Sequence, residues 1–131
     1  MRLKLTGIGA LLMLLALVTS PLAQTPAAAN SKAVKTMAGI LETVNHFPTD
    51  DQKKTLTALA AEPTTTAQEK VLIQALVGMQ HSVSAADKPK VEAVAKDATA
   101  SEGARSIATI LGHFLHTAND TDKATLKKLA A

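Results

Sequence analysis

His46, His81 and His116 lie 35 residues apart, and the same shift superposes most of the chain beyond residue 30. Lys53 falls on Lys88 and Lys123, and Leu56 falls on Val91 and Leu126. Leu59 falls on Val94 and Leu129, and Ala60 on Ala95 and Ala130. Upstream, Met37 meets Leu72 and Ile107, Leu41 meets Leu76 and Leu111, and Val44 meets Met79 and Phe114. Lys35, Lys70 and Arg105 also align, all without a gap. A chain made of three copies of one unit must bury the apolar face of each copy against its neighbours, because a single copy cannot do so alone.

Each unit reads as two helices. Met37, Leu41 and Val44, with their counterparts, recur at i, i+4 and i+7, which is one face of a 3.6-residue helix. The first helices are expected over roughly 32–46, 67–81 and 102–116. Ser31, Thr66 and Ser101 stand at their cap positions, and Glu69 lies three residues beyond Thr66. A shorter second helix carries Leu56, Leu59 and Ala60 at i, i+3 and i+4. Thr49, Ser84 and Asn119 are its cap residues, and Thr49 with Gln52 forms a capping box. Pro89 requires the second helix of the middle unit to begin near Asp87, since proline is tolerated in the first turn.

The expected fold is therefore all-α. Three helix–turn–helix repeats, about 31–65, 66–100 and 101–131, stack as a short α-solenoid or close into a six-helix bundle. Apolar residues cover about half the circumference of the first helices in repeats one and three and about two-thirds in repeat two. That difference suits a middle repeat flanked by two capping repeats. The period is near that of tetratricopeptide repeats. The chain nevertheless has no Trp and no Tyr, and Pro63 becomes Ala98 one repeat later, so no family follows.

The segment before the repeats has the pattern of a secretory signal peptide. Arg2 and Lys4 precede an apolar run from Leu5 to Val18, followed by small residues that allow cleavage after Ala29 or after Ala23. Fourteen helical residues rise about 21 Å, short of a hydrocarbon core of roughly 30 Å. No stable membrane span is expected after cleavage, and the expected location is periplasmic or secreted. Arg2 and Lys4 are the only charges before residue 30, so the formal net charge of +3 falls to +1 without them. With acidic and basic residues interspersed and only two aromatics, nucleic acid is not an expected partner. The absence of cysteine excludes disulfides and thiolate chemistry.

Candidate functional residues are the polar ones that repeat. Each first helix is expected to run through its histidine, so His46 points about 180° from Met37 and each repeat presents a basic residue and a histidine on its outer face. Lys35, His46, Lys70, His81, Arg105 and His116 would then form a ladder suited to an acidic extracytoplasmic protein or other macromolecule. This makes a non-catalytic binding module the leading expectation. Packed helices lie about 8–10 Å apart and zinc–nitrogen bonds are about 2.0–2.1 Å, so the three spaced histidines are not expected to share one ion. The alternative is an envelope metal-binding or metal-sensing protein using His113 and His116, which stand three apart on one helix and are therefore neighbours. No catalytic motif of the common hydrolase, zincin or nucleotide-binding types is present, and neither enzymatic activity nor a cofactor is expected.

Overall fold

The computed structural model describes residues 29–131; the expected signal peptide lies almost entirely outside the described residues. Six helices follow in order: α1 (Lys32–Thr43), α2 (Asp50–Ala61), α3 (Ala67–Val77), α4 (Lys88–Lys96), α5 (Glu102–His113) and α6 (Asp120–Ala130). No helix among the described residues is long and apolar enough to cross a membrane.

The helix starts follow local side-chain chemistry. Ser31 and Ser101 accept hydrogen bonds from Val34 and Ala104, which satisfy backbone N–H groups left free in a first turn. Thr49–Gln52 and Thr66–Glu69 form reciprocal capping boxes. Pro89 occupies the first turn of α4, where its missing N–H costs nothing.

The ring of helices is closed. Each repeat's first helix packs against the second helix of the preceding repeat, α3 on α2 and α5 on α4. α1 packs on α6 in the same manner, and α1, α3 and α5 meet one another around a central axis. Asn30 Nδ2 donates to the Leu129 carbonyl at 3.1 Å, and Lys127 Nζ lies 3.7 Å from Glu42 Oε1. Both contacts tie the last helix to the first repeat.

Closure removes the distinction between middle and capping repeats. α1 buries Ala33, Val34, Met37, Ala38, Ile40 and Leu41, and α5 buries the equivalent six. α3 buries Glu69, Leu72, Ile73, Ala75 and Leu76, whereas Val71 and Val77 remain half-buried. The wider apolar arc of the middle helix therefore does not mark it as the only internal one. Every repeat has two neighbours in a ring.

Candidate metal centre

Three of the expected helix ends are too long by three or four residues. α1 stops at Thr43, α3 at Val77 and α5 at His113. Val44 and Phe114 already have extended backbone, with ψ 129° in both. The histidines lie in the elbows beyond. His46, His81 and His116 have φ of 73°, 61° and 64°, the only positive values at non-glycine residues among those described.

The hydrogen bonds define these elbows. The N–H after each histidine donates to the carbonyl before it: Phe47 to Asn45 at 3.0 Å, Ser82 to Gln80 at 2.6 Å and Thr117 to Leu115 at 2.7 Å. An i to i+2 bond around a residue of positive φ is the rarer and more strained form of the γ-turn. The three turns are joined in a cycle. His46 N–H donates to His116 at 2.6 Å, His81 to His46 at 2.7 Å and His116 to His81 at 2.7 Å, each to the backbone carbonyl. This cycle holds the elbows together at one pole of the bundle.

The side chains converge with the backbone. Ring centroids are 5.1 Å apart for His46 and His81, 5.0 Å for His46 and His116 and 5.1 Å for His81 and His116, with interplanar angles of 82°, 82° and 64°. One nitrogen from each ring can be chosen so that all three lie within 4.8 Å of one another. Tetrahedral bonds of about 2.05 Å set ligand nitrogens about 3.3 Å apart. Closing a triangle of nitrogens from 4.8 Å to that spacing moves each one toward the axis by at most about 0.9 Å. Small adjustments within staggered side-chain wells supply that movement.

His46 Nδ1 lies 2.6 Å from Asn45 Oδ1. In the tautomer protonated at Nδ1 this contact orients the ring and leaves the Nε2 lone pair for a ligand role. Only repeat one has this orienting contact, because Gln80 and Leu115 take the place of Asn45 elsewhere. Behind the elbows the core is apolar: Val44, Met79 and Phe114, two residues before each histidine, are buried. In front, His46 is half-buried while His81 and His116 are exposed. The cluster thus opens to solvent on one side.

Closure also rearranges the other candidates. Lys35, Lys70 and Arg105 lie in the first turns of α1, α3 and α5, and the histidines lie beyond the far ends of those helices. The eight steps from Lys35 to Thr43 at the end of α1 alone rise about 12 Å. Lys35 and Lys70 are exposed and Arg105 is half-buried. They are distributed around the axis, so no single ladder combines them with the histidines. A ring places equivalent side chains on a circle, whereas an open solenoid would place them in a row.

His113 and His116 are likewise separated. His113 closes α5, and its Nε2 lies 2.7 Å from Asp122 Oδ2, which also accepts from Asn119 Nδ2 at 2.7 Å. His116 belongs to the axial cluster. The i, i+3 adjacency fails because the helix ends between them. A cavity of about 570 Å³ lies at the opposite pole, where the first helices start. Its buried carboxylate, Glu69, is fully committed: Ser31 donates to Oε1 and the Thr66 N–H to Oε2.

Identity across the three repeats isolates the same pole. Four positions keep one residue type throughout: Leu41/76/111, His46/81/116, Lys53/88/123 and Ala60/95/130. The leucines are buried and the alanines half-buried, so packing explains them. The histidines and lysines have no such explanation. No protein-family model, curated protein or solved structure matches this chain.

Proposed function

We propose that this chain is an exported, non-catalytic metal-binding protein that holds one transition-metal ion on His46, His81 and His116. The observation that carries the proposal is the meeting of one ring nitrogen from each repeat within 4.8 Å on the axis. Neutral imidazoles of this kind suit zinc, copper and nickel.

The backbone supports the same reading. A left-handed conformation costs an ordinary residue about 1–2 kcal/mol, whereas glycine adopts it freely. An elbow with only a turning role has glycine as its cheapest solution, yet all three elbows carry histidine. Strain of this kind gathers where a side chain must be presented in one direction. The buried core runs through all six helices, so the fold has a source of stability apart from the ion. Three ligands and an open side suit an ion that is taken up and released. Export rests on the sequence of the first 29 residues.

Titration calorimetry with zinc on the full chain tests this. The expected result is one ion per chain, with affinity lowered at least tenfold by His46→Gln, His81→Gln or His116→Gln and unchanged by His113→Gln. Undiminished affinity in the His81→Gln variant, or loss of binding in His113→Gln, contradicts the proposal.

A further inference from the structure

We infer that the open coordination position takes the carboxylate of a small organic acid with an apolar body, so that ion and acid are bound together. The inference rests on the metal reading above and adds three observations to it.

The first is the set of lysines. Lys53, Lys88 and Lys123 stand seven residues after the three histidines, and none lies within 4.0 Å of a carboxylate among the described residues. Unpaired ammonium groups on the side of a bound cation oppose the cation's own binding by like-charge repulsion. An anion between them reverses the sign of both interactions. The second is where two of these lysines sit. Lys53 lines a cleft of about 290 Å³ between repeats one and two, together with Phe47, Gln80 and the triad residue His81. Lys88 lines the next cleft, about 280 Å³, with His113 and with Ser82 and Leu115, the chain neighbours of His81 and His116.

The third is apolar. Phe47 is 54% exposed and Leu115 62% exposed, the two exposed large hydrophobics among the described residues. Each adjoins a triad histidine in sequence, and each shares its cleft with a lysine. Lys53 Nζ lies 5.9 Å from the centre of the Phe47 ring, which holds the ammonium over an apolar wall. A carboxylate oxygen fills the open position, the ammonium balances its charge, and the carbon body covers Phe47 or Leu115. Inorganic anions satisfy only the first two demands.

The test uses the full chain loaded with cobalt(II), whose visible d–d bands report its ligands, and titrates sodium benzoate against sodium acetate and inorganic phosphate. Benzoate is expected to shift the bands with a half-saturation at least tenfold below that of either comparator. The Lys53→Gln/Lys88→Gln double variant raises benzoate half-saturation about tenfold while still binding cobalt, and Phe47→Ser/Leu115→Ser removes the preference over acetate. Cobalt bound at the histidines with bands indifferent to benzoate overturns this inference alone, as does an equal response in the lysine variant. Failure of cobalt to bind overturns the metal reading and this inference with it.

Discussion

Replacing His81 by glycine and, separately, by alanine gives two variants whose order of stability is fixed by the elbow. Both remove the imidazole and its edge contacts to His46 and His116. They differ only in what the backbone at φ 61° costs. Alanine retains the left-handed penalty of about 1–2 kcal/mol, which glycine avoids. Glycine loses about 0.5–1 kcal/mol more backbone entropy on folding. The metal-free glycine variant should therefore be more stable than the alanine variant by about 0.5–1 kcal/mol, the reverse of the order in a helix. For a domain of this size that is about 2–8 °C in Tm. Thermal unfolding followed by far-ultraviolet circular dichroism is the suitable assay, since the chain has no Trp or Tyr to report by fluorescence. Run in chelator and again in zinc, it reads both halves of the argument. The native chain should gain about 2.7 kcal/mol at a free zinc concentration one hundred times its Kd, and both variants should lose most of that gain. Alanine equal to or better than glycine in chelator would show that position 81 is not held at positive φ, and the strain argument would fail.

Gly103 lies where α5 approaches α1, and a Cβ there would stand 2.7 Å from Val34 Cγ1 and 2.6 Å from Asn30 Oδ1. Gly103→Ala should cost about 1–3 kcal/mol in urea unfolding through overpacking. Gly39→Ala, with nothing within 4 Å of the new methyl, should gain about 0.5–1 kcal/mol from helix propensity; a loss there would contradict the open space. The carboxyl of Asp87 is lowered below its usual 3.8, chiefly by the Ser84 hydroxyl against a smaller opposing effect of burial, with Lys90 assisting. That of Asp97 is lowered chiefly by Thr99, then by Gln68. Because both folded values lie below the unfolded one, their stabilisation is present above about pH 3.8 and is lost as pH falls through the folded values. The Asp87→Asn/Asp97→Asn variant should be less stable at neutral pH and show a shallower decline below pH 4; an unchanged acid limb refutes the assignment.

Much of the fold was legible from position and residue type. The 35-residue shift, the apolar triplets and the cap residues place six helices, and Pro89 marks the late start of α4 at Lys88. What a single wheel could not show is where the first helices stop. Val44, Met79 and Phe114 continue the apolar rhythm and are buried, yet the chain has turned out of the helix by Val44 and Phe114. Extending the helix through them set the histidines on an outer face, when a γ-turn swings each one onto the axis. The spacing argument set the rings too far apart for the same reason. It measured from helix axes, whereas the elbows approach one another through backbone hydrogen bonds of 2.6–2.7 Å. The choice between solenoid and ring depends on α6 meeting α1, a contact between residues about ninety positions apart that leaves no local signal. Pro48 after Phe47, and a histidine kept at one phase in all three repeats, were the available hints of a special elbow.

The most direct test of the axial site is an anomalous difference map from a crystal of this chain grown or soaked with zinc, recorded on both sides of the zinc absorption edge. The account predicts one strong peak on the pseudo-three-fold axis, about 2.0–2.1 Å from one nitrogen of each of His46, His81 and His116. A peak at His113 and Asp122 with none on the axis would contradict it.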